Sequence, residues 1–177
     1  MKRKFLAAAF LIGAALFATG AANAAQGPDM PDVFPAFSAK DLNGGTVTDA
    51  IFADKTLTMV NIWTTWCPPC VNEMPDLGRL GRSMPEGTQL VGIVLDVKDP
   101  KDSETISDAK NILGKTKADF LQILPVDAMR PVLGEVAAIP TTIFVNSKGQ
   151  IVGGALVGSR PEKEYRSEVE SILRSMK

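Results

Sequence analysis

The sequence predicts a single mixed α/β domain. Two mostly apolar runs, Leu57–Trp63 (LTMVNIW) and Gln89–Leu95 (QLVGIVL), have the composition of strands buried on both faces. Each leads into a stretch with helical periodicity, and the chain closes with a hairpin pattern and an amphipathic helix. At 177 residues, there is enough chain for one domain with a substantial core.

Met1–Lys4 is basic, Phe5–Ala18 is apolar, and Ala22-Asn23-Ala24 places small residues where a signal peptidase reads. Residues 1–24 therefore read as a secretory signal peptide, and the protein is expected in the periplasm or another extracytoplasmic space. The alternative, an uncleaved membrane anchor, is disfavoured by the shortness of the apolar run. No cysteine lies in this segment, which excludes a lipid anchor there. A Pro-rich stretch reads as a linker over residues 25–36, leaving residues 37–177 as the domain.

Phe37–Asp41 and Thr46–Thr48 flank Asn43-Gly44-Gly45, a hairpin signal. The Leu57–Trp63 strand runs directly into Cys67-Pro68-Pro69-Cys70, beyond which Cys70, Met74, Leu77 and Met84 approximate one helical face. Pro75 is expected to kink this helix without ending it. After the second strand, Asp99-Pro100 makes an N-cap and first position for a helix reaching about Lys117, with Ile106, Ala109 and Leu113 inward. Phe120–Val126 reads as a short strand and Met129–Ala137 as a short helix. Thr141–Val145 and Gln150–Val152 form a hairpin across Asn146-Ser147-Lys148-Gly149. In the last helix, Ser159 and Glu162 match a capping box, while Tyr165, Val169, Ile172, Leu173 and Met176 share a face.

Composition limits the chemistry. There is no histidine, which removes Ser–His and Cys–His nucleophile pairs, His-ligated haem and His-containing zinc sites. Two cysteines cannot complete a four-thiolate metal site, so no metal is expected. The formal charge of −1 argues against nucleic-acid binding. Loss of residues 1–24 leaves 16 Lys+Arg against 20 Asp+Glu, a net −4.

Both cysteines belong to one C-x-x-C motif. At a strand–helix junction, Cys67 falls near the helix N-cap, where the partial positive charge of the terminus favours thiolate. Cys70 lies one turn inside, placed to attack a mixed disulfide on Cys67. Residues 64–72 (TTWCPPCVN) contain no basic group, so Cys67 is expected to be a moderately activated thiol, suited to a reductant or exchange catalyst. The alternatives are a structural disulfide, which would close a very small loop for little entropic gain, and half of a metal site lacking further ligands. Haem attachment requires a histidine where Val71 stands.

The run Val60-Asn61-Ile62-Trp63-Thr64-Thr65-Trp66-Cys67-Pro68-Pro69-Cys70, with Glu73, Pro75, Ile139-Pro140-Thr141-Thr142 and Asn146-Ser147-Lys148-Gly149, resembles the TlpA/ResA-like group of extracytoplasmic thiol–disulfide oxidoreductases, from about Phe34 onward. The resemblance implies a thioredoxin-like mixed sheet flanked by helices, with an N-terminal hairpin and a central helix–strand insertion between Asp99 and Val126. It also implies a cis peptide bond at Pro140, packed beside the cysteines where a substrate chain docks. Cys67, Cys70 and Glu73 become the candidate catalytic residues, and Trp66, Pro68, Pro69, Ile139 and Pro140 the candidate substrate contacts. Where thioredoxin has a buried aspartate, this chain has Asn61, which cannot accept a proton; Glu73 is the remaining candidate to tune the thiols or deprotonate Cys70. Its bland alternative is a solvated helix carboxylate. Trp66 is assigned to the substrate surface and Trp63 to the core.

The resemblance further implies a redox-active Cys67–Cys70 disulfide with no other cofactor, and a monomer. Its partners would be disulfide-containing client proteins, apocytochrome c among them, and a membrane thiol electron donor. Two other functions stay open: a peroxiredoxin-like enzyme, for which Thr64 fits but Val60 replaces the required proline, and a non-catalytic thioredoxin-fold binding module.

Overall fold

Leu57–Trp63 forms the central strand, β3, of a five-stranded sheet in a computed structural model that describes residues 30–177. The signal-peptide reading of residues 1–24 lies outside the described residues. In chain order the elements are β1 (Ser38–Lys40), β2 (Thr46–Thr48), β3, α1 (Pro68–Arg82), β4 (Thr88–Val94), α2 (Ser103–Thr116), β5 (Leu121–Ile123), α3 (Arg130–Leu133), β6 (Thr141–Asn146), β7 (Leu156–Val157) and α4 (Glu162–Ser175). The sheet order is β5-β4-β3-β6-β7; β4 runs parallel to both β3 and β5, while β6 is antiparallel to β3 and β7 to β6.

Every residue of β3 is buried because both faces of the sheet are covered. Leu57, Met59 and Trp63 join Leu90, Val94 and Phe144 against α1, α2 and α4. The alternate residues Val60 and Ile62 join Val91, Ile93, Ile143 and Val145 beneath Phe34, Phe37, Phe52, Met129 and Val132. Phe34, Phe37 and Phe52 pack edge to face, with centroids 5.3–6.2 Å apart. At Gly78 of α1 an added Cβ would lie 2.5 Å from the carbonyl oxygen of Lys117, at the end of α2.

The hairpin β1–β2 turns at Gly44, whose φ of +85° requires glycine. It also covers the sheet edge: Leu42 N–H donates to the Gln122 carbonyl (3.1 Å) and Leu124 N–H to the Lys40 carbonyl (2.8 Å). Contacts with the rest of the chain begin before residue 37. Within the expected linker, Phe34 is buried and its N–H donates to Gly149 O (2.8 Å), while Asp32 O accepts from Ile151 N–H (2.8 Å).

Several boundaries differ from expectation, each with a local cause. α1 ends at Arg82, so Met84 packs against the core from beyond the helix. Asp99 is not the cap of α2: its carboxylate accepts from Lys101 N–H (2.8 Å) in a preceding turn, and Asp102 caps the helix by accepting from Thr105 N–H (3.1 Å). β5 is only three residues long, and the expected helix over 129–137 is a 3-10 turn (Asp127–Met129) followed by the four-residue α3. The strand returning from β6 is split. Asn146 N–H donates to Gln150 O and Val152 N–H to Phe144 O, both 2.9 Å, then Gly153 at φ +70° breaks the run before β7. Ser159 and Glu162 form no capping box: α4 begins at Glu162 behind Pro161, with no side-chain cap. The Glu162 carboxylate is instead drawn to Arg79 (3.2 Å) and Arg166 (2.9 Å).

Candidate active site

The carboxyl end of β3 delivers the chain to the cysteines. Leu95 N–H donates to Trp63 O (2.8 Å), and Asp96 accepts from both the N–H (3.1 Å) and the hydroxyl (2.6 Å) of Thr65. These contacts pin the loop from β3 to α1. Cys67 is the N-cap of α1, with extended backbone, and Pro68 and Pro69 fill the first two helical positions, where no intrahelical N–H partner is lost. Cys67 and Cys70 are disulfide-bonded, and Cys70 N–H donates to Cys67 Sγ (3.3 Å). Cys67 keeps 3% of its surface exposed and Cys70 none.

The Ile139–Pro140 peptide is cis, and the Ile139 carbonyl oxygen lies 3.8 Å from Cys67 Sγ. The fold thus brings residues 72 positions apart into contact. Around the disulfide, Trp66 is 70% exposed, Pro68 and Pro69 are exposed, Ile139 is half-buried and Pro140 is buried. Trp63 is fully buried, with its indole N–H donated to Gln122 Oε1 (2.9 Å). Trp66 thus lies at the surface and Trp63 in the core.

Glu73 is not a solvated helix carboxylate. It is buried, one helical turn beyond Cys70, and receives three donors: Asn61 Nδ2 on Oε1 (2.9 Å), and Tyr165 Oη (2.7 Å) and Arg160 N–H (3.2 Å) on Oε2. Asn61 also donates to Thr142 Oγ1 (3.2 Å), while its own Oδ1 has no partner among the described residues. Burial pushes the Glu73 carboxyl above the ordinary glutamate value of 4.5; the Tyr165, Asn61 and Arg160 hydrogen bonds pull it back, and the Asp76 charge raises it. The Tyr165 phenol is pushed up as well, first by burial and then by the Glu73 charge.

Sequence reasoning placed Tyr165 only on a core-facing stripe and Asn61 only as a missing acid. The signals were present: a lone Asn inside LTMVNIW and a lone Tyr on an aliphatic stripe must each find a polar partner when buried. Among the described residues, no cluster of three or more His, Cys, Asp or Glu is arranged to hold a metal. No helix among them is long and apolar enough to cross a membrane.

The family model described as Redoxin matches residues 30–173. The thiol:disulfide interchange protein DsbE of Vibrio cholerae is 31% identical over 155 residues, covering 81% of this chain and 78% of that protein. The sporulation thiol-disulfide oxidoreductase A of Bacillus subtilis is 27% identical over 143 residues, covering 80% and 81%. Among solved structures, a thioredoxin family thiol:disulfide interchange protein from Chlorobium tepidum superposes with a TM-score of 0.66 at 25% identity, covering 81% of this chain and 97% of that one.

Proposed function

The chain belongs to the Redoxin family and is a thioredoxin-fold thiol–disulfide oxidoreductase, and from this we propose that it acts outside the cytoplasm as a reductant of disulfides in partner proteins. The observation that carries the reading is the ordering at the N-terminus of α1. Cys67 is the less buried of the two cysteines, with its Sγ 3.8 Å from the Ile139 carbonyl oxygen, and Cys70 is fully enclosed.

In the reduced protein, the Cys67 thiolate attacks one sulfur of a client disulfide. A Cys67–client mixed disulfide forms and the other client sulfur leaves as a thiolate. Cys70 then loses its proton to Glu73 and attacks Cys67 Sγ. The Cys67–Cys70 bond forms, the second client sulfur leaves and is protonated, and two electrons have passed to the client. The exposed Trp66, Pro68 and Pro69 and the edge at Ile139-Pro140 receive the client chain. Apocytochrome c is the client that the TlpA/ResA resemblance favours, and a membrane thiol carrier returns the electrons.

The Cys67/Cys70 reduction potential tests the direction. It is expected near the thioredoxin value of about −270 mV; a value near about −120 mV would overturn the reductant reading. Glu73→Gln tests the proton acceptor. The acid limb of the exchange pH–rate profile should disappear, and a profile identical to wild type would remove Glu73 from the mechanism. Stability supplies a second readout. A carboxyl whose pKa is higher folded than unfolded binds more protons in the native state, so its contribution is full below 4.5 and is lost as pH rises through the folded value. Glu73→Gln should abolish that decline.

A further inference from the structure

We infer that Tyr165 is a positioning residue for the exchange reaction, its phenol fixing the Glu73 carboxylate in the orientation and ionised form that accepts the Cys70 proton. This rests on the Glu73 role proposed above. The geometry is specific. Tyr165 lies on α4, is fully buried, and sets its Oη 2.7 Å from Glu73 Oε2, the shortest of the three hydrogen bonds that the carboxylate receives. Asn61 occupies Oε1, so the two oxygens are held from opposite partners: the strand β3 on one side, α4 and Arg160 N–H on the other.

The groups facing Glu73 are Asn61 from β3, Asp76 from α1, Arg160 from the segment before α4, and Tyr165 from α4; Thr142 from β6 contacts Asn61 and Tyr165. The Arg160 guanidinium is directed to Glu164 and Val157 O. Hydrogen bonds to the charged form favour ionisation, and of these donors only the tyrosine hydroxyl and the asparagine amide are side-chain groups. Burial and the Glu73 charge keep the phenol itself protonated while Glu73 titrates.

Tyr165→Phe keeps the ring and deletes the donor. The acid limb of the exchange profile should move up by about one pH unit, a tenfold change in the protonation equilibrium. In the Glu73→Gln background, the same substitution should move nothing. If the limb stays in place in Tyr165→Phe yet is lost in Glu73→Gln, the Tyr165 inference is overturned and the Glu73 reading stands. If Glu73→Gln retains the wild-type limb, the Glu73 reading itself fails. An equal shift in both backgrounds would show that Tyr165 acts independently of Glu73, which also overturns the inference.

A measurement on the unsubstituted residue guards against misfolding of the variant. Tyr165 is the only tyrosine, so 13C-tyrosine labelling yields a single Cζ resonance. That resonance should titrate at the pH of the exchange limb in the wild-type protein and be flat in Glu73→Gln. A flat resonance in wild type would overturn the coupling.

Discussion

Cys67→Ser is expected to abolish disulfide exchange, lowering the rate on the order of 10³-fold or more, as removal of an essential nucleophile does. A serine hydroxyl is not ionised near neutral pH and does not attack sulfur, and the only other thiol, Cys70, is fully buried. Cys70→Ser should behave differently. It leaves the first attack intact and removes the resolving thiol, so a Cys67–client mixed disulfide accumulates and can be isolated under non-reducing conditions. Both variants should remain folded, because a disulfide between residues three apart constrains the unfolded chain little. Wild-type exchange by Cys67→Ser would sink the assignment of the attacking sulfur. Absence of a trapped species in Cys70→Ser would sink the assignment of the resolving one.

Trp63→Ala should produce the largest loss of stability among single core substitutions, about 3–5 kcal/mol. Trp63 is fully buried at the end of β3 and packs between the sheet and the helices. Its indole N–H satisfies Gln122 Oε1 (2.9 Å), and Gln122 Nε2 already lacks a partner among the described residues. Truncation therefore opens a cavity and also leaves the Gln122 carbonyl unpaired in an apolar setting. Against a total stability of roughly 5–15 kcal/mol, such a loss brings the protein near its unfolding threshold at ordinary temperature. Urea unfolding followed by far-UV circular dichroism measures it; a loss below about 1 kcal/mol would show that the site collapses around the smaller side chain. Trp63→Phe with Gln122→Leu removes both polar partners together and should recover much of the stability.

The central strands and the motif helix were legible because their signals are local and strong. β3 coincides with LTMVNIW, and α1 begins at Pro68, next to the cysteine expected to cap it. Helix starts governed by competition were less legible. Asp99 and Asp102 are both good caps, and only the turn made by Asp99 decides that Asp102 does the capping. Ser159 and Glu162 match a capping box in spacing, but Glu162 meets Arg79, 83 residues away, and its carboxylate goes there. The hairpin after β6 was recognised, whereas its interruption at Gly153 depends on a backbone angle that composition does not dictate.

For the site the division has the same cause. Sequence alone located the redox pair: the two cysteines stand at i and i+3 where a buried strand meets a helix, and both that spacing and that junction are local properties of the chain. Only the tertiary structure decided the surroundings of Glu73. Its three donors, Asn61, Arg160 and Tyr165, lie 12, 87 and 92 residues away, and they converge through the packing of α1 against β3 and α4. A hydrogen bond between such distant residues exists only once helix packing has placed both groups within reach, and no local pattern encodes that distance. In one dimension Glu73 is a candidate with a solvated carboxylate as its alternative; in three it is a buried carboxylate that receives three hydrogen bonds.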